Sequence, residues 1–142
     1  MSFVAEAARS TPRVIVQFCR ADRRYDPLDT LEVHYQVDGL EDEAVRAVER
    51  TVLWYTEGKG EEDLGVHFFE RIADRQRLPP EAPTERFTAR LPPSPLSYEG
   101  VIVKIRWCVR VRFFFGGGRD FVSEHEFVVG RIPPARIPVA PA

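Results

Sequence analysis

The chain has 142 residues, 44% of them hydrophobic and 30% charged, the composition of a single globular domain with its own core, which excludes a disordered or collagen-like chain. A formal net charge of −2 supplies no global attraction for DNA, RNA or an anionic membrane, so no nucleic acid is expected as a partner and membrane contact is expected to be at most peripheral. Two cysteines, Cys19 and Cys108, are too few for a disulfide scaffold or a zinc motif; two reduced thiols or one long-range disulfide both remain open.

Residues 1–12 read as an N-terminal extension. They carry Glu6 and no apolar run of signal-peptide kind, and nowhere do about 18 apolar residues follow one another, so a cytoplasmic location is expected. Only Lys59 and Lys104 among the 20 basic residues are lysine, a bias that fits a GC-rich bacterial genome better than it fits a function.

Residues 13–19, rich in Val, Ile and Phe, predict a first strand, followed by a loop over 20–29. In residues 31–37, Leu31, Val33, Tyr35 and Val37 alternate with polar residues, the period of a strand with one dry face. Residues 41–49 admit a short helix, because Ala44, Val45 and Val48 stand at helical spacing, or the approach to the next strand. Residues 48–56 are β-branched and aromatic; a polar loop, 57–63, separates them from another apolar run, 64–72. Residues 78–83 and 91–95 are proline-rich and bracket 84–90, where Phe87 and Ala89 suggest one short strand at a sheet edge or connection, since proline donates nothing to a ladder.

The clearest signal is residues 101–113, in which Val101, Val103, Ile105, Trp107, Val109, Val111 and Phe113 occupy every odd position. Gly116, Gly117 and Gly118 supply a reversal and residues 120–129 return as the second arm of a β-hairpin. Residues 133–142 form a proline-rich tail without a hydrophobic period. Seven to eight short strands with turn signals between them predict an all-β chain, an immunoglobulin-like antiparallel β-sandwich over residues 13–132.

Several pieces, in this order, resemble the N-terminal domain of arrestins and the related arrestin-like and retromer Vps26-type proteins. Tyr25-Asp26-Pro27 before the 31–37 strand resembles the family's Tyr-x-Pro-Gly turn, and residues 54–69 resemble its acidic, glycine-containing loop with the apolar strand that follows. Ser97-Tyr98-Glu99-Gly100, after a proline-rich stretch, resembles its Ser-Phe-x-Gly element, and the strand of residues 101–111 resembles the one after it. The likeness spans residues 13–130 and implies an arrestin-like sandwich acting as an adaptor or scaffold. There are departures. The chain has room for one such domain, not two; Leu28 replaces the glycine after proline; and the family's phosphate-sensing lysine pairs have no match, Arg20, Arg23 and Arg24 being only loosely comparable. Receptor and phosphate recognition are therefore not carried over.

Two surfaces stand out as candidate contact sites. Lys104, Arg106, Arg110 and Arg112 share a strand face on which guanidinium groups fork onto carboxylate or phosphate oxygens, or else pair with neighbouring acids. Trp54 and Tyr55, with the loop around Lys59, offer an aromatic and acidic surface at a sandwich end, or else a polar connection with Trp54 in the core. His34, His67 and His125 lie on strands with nothing to bring them together, and no nucleophile-base set carries a local signature, so neither a metal, a cofactor nor catalysis is expected. The expected role is a non-catalytic module that docks a protein partner or a copy of itself. An anion or phospholipid-head-group binder, or a structural subunit of an oligomeric assembly, are the alternatives.

Overall fold

Period-two alternation of apolar side chains yields two sheets that have nowhere to place their dry faces except against each other. The computed structural model describes residues 12–40 and 44–137. Nine strands are found among them: β1 (Arg13–Phe18), β2 (Arg24–Tyr25), β3 (Thr30–Asp38), β4 (Val45–Gly58), β5 (Leu64–Ile72), β6 (Thr84–Arg90), β7 (Tyr98–Glu99), β8 (Val103–Phe115) and β9 (Asp120–Val129). Seven have six or more residues and correspond to the strands expected from the sequence; β2 and β7 are two-residue additions.

The smaller sheet has the order β1-β3-β6 and the larger β2-β9-β8-β4-β5, with β7 lying along β8 where the pairing to β9 ends. All neighbours are antiparallel except β2 and β9. Leu31, Val33, Tyr35 and Val37 of β3 form one wall of the core, and Trp107, Val109, Val111 and Phe113 of β8 the other. Tyr35 meets Phe113 edge-on at 6.2 Å across the sandwich. The chain is thus an antiparallel β-sandwich.

Three expectations need correction. The long strand runs over Val103–Phe115 rather than 101–113: Val101 and Ile102 lie before it and are exposed, because its partner β4 ends at Gly58, which pairs with Val103. The helical alternative for 41–49 fails where it is described: Val45 onwards is β4, paired with Phe115 and its neighbours across a bulge between Val45 and Ala47, while residues 41–43 lie outside the described residues. The loop expected at 20–29 contains β2, whose Tyr25 is fully buried. Residues 1–11 of the expected extension and 138–142 of the tail also lie outside the described residues. The hairpin turn reverses through Gly118 at φ 82°, a conformation that costs an L side chain energy. Among the described residues no helix is long and apolar enough to cross a membrane.

Candidate functional site

Odd positions of β8 face the core, so even positions face outward on the larger sheet. Lys104, Arg106, Arg110 and Arg112 stand together there, but the register brings an acid to every one of them. Arg110 lies opposite Glu124 and pairs with it at 3.5 Å; Arg112 meets Asp120 at 2.6 Å; Lys104 meets Glu99 at 3.6 Å. Arg106 sits in a cage of three carboxylates, Glu57 at 3.1 Å and Glu99 and Glu126 at 2.8 Å each. Burial opposes its charge, yet the three acids outweigh burial and raise its pKa. The stripe is therefore a charge-compensated ladder of cross-strand and diagonal pairs rather than a positive surface.

Trp54 and Tyr55 do not form one aromatic surface, since consecutive strand residues project to opposite faces. Trp54 is half-buried against the core, its ring over Gly65, where a Cβ would lie 2.2 Å from Nε1. Tyr55 lies outward, opposite Arg106 and Leu64. Lys59 is exposed in the loop after β4, its backbone N–H donating to the Ile102 carbonyl. A shallow cleft lies between that loop and the sheet, with Tyr55, Leu64, Arg110, Glu57, Glu62, Asp63 and Glu124 around it.

Two features escaped the sequence reading. The first is Arg50, 2% exposed, which points inward from β4 with Val48 and Val52. It pairs with Glu70 of β5, approaches Glu85 of β6 at 3.6 Å, donates to the Arg86 carbonyl at 3.1 Å and stacks over Phe87 at 5.0 Å. One guanidinium thus ties the edges of the two sheets. Its strand parity was the available signal.

The second is the outer face of β5. Leu64, Val66 and Phe69 are 53%, 57% and 55% exposed on a strand whose one ladder neighbour among the described residues is β4. A bulge places this trio on one side: Val66 pairs with Leu53 and Phe68 with Val52, so His67 is extra. Phe68 then turns inward to stack on Phe87 at 5.6 Å, while Phe69 points to solvent with Leu64 and Val66.

The remaining candidates serve the fold. His34, His67 and His125 are on β3, β5 and β9, and no three His, Cys, Asp or Glu side chains among the described residues stand where they would hold a metal. His67 donates to the Arg90 carbonyl and His125 contacts Ser123 Oγ at 2.6 Å. Cys19 and Cys108 are not bonded to each other: Cys19 Sγ lies 3.2 Å from the Tyr25 hydroxyl, and Cys108 lies beneath the charge ladder near Glu124. Tyr25 fastens the β1–β3 connection, and the Ser97 hydroxyl accepts the Val129 N–H at 2.9 Å, so both motif residues hold the sandwich together.

No family model matches the chain, and no curated protein matches it. Among solved structures it is similar to the sporulation control protein Spo0M of Bacillus subtilis, with a TM-score of 0.59 and 14% identity over 87% of this chain. The chain spans about half of that protein, 51% of its length. A superoxide reductase (neelaredoxin) of Ignicoccus hospitalis is more distant, with a TM-score of 0.49 and 14% identity over 89% of this chain and 86% of its own. The likeness to Spo0M establishes the sandwich fold and nothing of the chemistry.

Proposed function

We propose that the chain is a non-catalytic docking module, an arrestin-like sandwich that serves as an adaptor or scaffold for a protein partner or for a copy of itself in the cytoplasm. The observation that carries this reading is the outer face of β5, where Leu64, Val66 and Phe69 line a strand edge that no second strand pairs among the described residues. Isolated exposed apolar side chains are ordinary, but three in a row beside unpaired backbone groups are the mark of strand addition. The order of the arrestin-like motifs and the sandwich shared with Spo0M support the scaffold part of the proposal. An anion-binding role for the β8 face is disfavoured, because its four cations already have carboxylate partners.

A tagged pull-down from the source organism with quantitative mass spectrometry, run beside a Val66→Lys, Phe69→Lys variant, tests the reading. A partner retained by the wild type and lost by the variant, with unfolding temperature unchanged, is the expected result. Retention by both places docking elsewhere and overturns it.

A further inference from the structure

Where β1 lies over β9, Phe18 of the smaller sheet meets Phe127 of the larger at 5.8 Å. Arg23, in the connection from β1 to β2, fastens that margin. Its guanidinium lies 4.6 Å from the centre of the Phe18 ring and donates to the Glu126 carbonyl at 3.4 Å, so it touches both sheets. The Arg23 carbonyl accepts the Val128 N–H at 2.9 Å and the Tyr25 carbonyl that of Gly130 at 2.7 Å, which lays the connection along β9. Arg23 holds φ at 55°, a left-handed conformation that a residue with a Cβ keeps where its surroundings over-determine it.

His125 belongs to the same margin. It is half-buried on the inward side of β9 with Phe127, and its Nε2 lies 2.6 Å from Ser123 Oγ. The charges around it are one-sided. From the β1–β2 connection Arg23 acts on it, while the Asp22 carboxylate there accepts the Arg24 N–H at 3.0 Å. β1 carries no ionisable side chain from Val14 to Phe18, β2 brings Arg24 and a Tyr25 hydroxyl engaged by Cys19, and β8 sets Val109 opposite. On β9 itself Glu124 and Glu126 face outward to Arg110 and Arg106. Burial and the Arg23 charge thus hold the imidazole neutral. From this arrangement we infer that the β1–β9 margin is an acid-operated latch, in which a proton on His125 sets a second cation against Arg23, drives the guanidinium off Phe18 and frees the β1–β2 connection from β9. What the latch controls is the edge of β9, which β2 covers at Val128 and Val129.

Amide hydrogen exchange of the full chain, followed by NMR with each rate divided by that of an unstructured chain at the same pH, is the test. From about pH 7 to about pH 5, values either side of the ordinary histidine pKa, protection at Val128 and Gly130 is expected to fall about threefold or more. The central strand β3 keeps its protection, because the latch opens locally. His125→Gln carries no proton and can still bond Ser123, so it holds protection at Val128 and Gly130 at both pH values. Arg23→Gln lowers that protection at both, removes its pH dependence, and lets the His125 imidazole titrate at a higher pH than in the wild type. Protection at Val128 and Gly130 that is indifferent to pH overturns the inference, as does a fall that persists in His125→Gln. A fall shared by β3 overturns it too, since that marks global acid unfolding, and so does a His125 titration that Arg23→Gln leaves unmoved.

Discussion

Arg50 and Glu70 form an ion pair whose two ends live in different solvents, and that asymmetry makes a testable ordering. The guanidinium is 2% exposed and the Glu70 side chain 41% exposed. Replacing Glu70 by Gln keeps the shape and removes the charge. Arg50 is then left buried with Glu85 at 3.6 Å, a carboxylate already engaged by Arg77 at 2.6 Å. Loss of one partner of a buried pair costs about 3 kcal/mol or somewhat more. Replacing Arg50 by Met instead removes the buried charge itself. Glu70 turns to water, Glu85 keeps Arg77, and the methionine chain keeps apolar contact with Phe87, so the cost is about 1 kcal/mol, chiefly for the Arg86 carbonyl left without its donor. The double variant should cost no more than Arg50→Met alone, because the buried charge that makes Glu70→Gln expensive is gone. Urea unfolding followed by the fluorescence of Trp54 and Trp107, with the denaturant slope held constant across variants, measures all three. An Arg50→Met variant less stable than Glu70→Gln, or additive costs in the double variant, would refute the reasoning.

Leu28 holds φ at 71° at the position where the resembling turn carries glycine, so Leu28→Gly is expected to stabilise the chain by about 1 kcal/mol, read as a higher urea midpoint; a loss of stability would mean the leucine side chain contributes contacts that outweigh its backbone strain. Burial, reinforced by the nearby Glu124 charge, pushes the Cys108 thiol up to about 12, so native chain at pH 8 should yield one thiol to Ellman's reagent, the exposed Cys19, and a Cys19→Ser variant none until denatured. Burial, helped by the Arg23 charge, lowers the pKa of His125 in the folded state. The unfolded chain then binds more protons, so this residue's contribution to stability is full above the ordinary histidine pKa and falls as pH drops through and below it. His125→Gln should flatten the melting temperature between about pH 5.5 and 7.5, a window around the ordinary histidine pKa, and an unchanged slope would exclude His125 as its source.

Alternation along residues 31–37, and along 101–113 from Trp107 onwards, determined which side chains enter the core before any strand was placed, because a strand has only two faces and water accepts only one of them. The three glycines at 116–118 likewise signalled a hairpin between β8 and β9. Its register, which sets Arg110 opposite Glu124 and neutralises that part of the basic stripe, was decided by the turn as folded. Parity also pointed Arg50 inward, but its partners on β5 and β6 are 20 and 35 residues away, and only the closing of the sandwich brings them to it. The β5 face was the least legible element. Simple alternation from Leu64 and Val66 assigns Phe68 to solvent and Phe69 to the core, the reverse of what the fold does. The extra residue His67 shifts the phase by one, and a bulge is set by the pairing of β5 on β4 rather than by the composition of either strand. Which edges stay open is decided in the same way, since a free edge is the absence of a neighbour and no residue of the strand encodes it by itself.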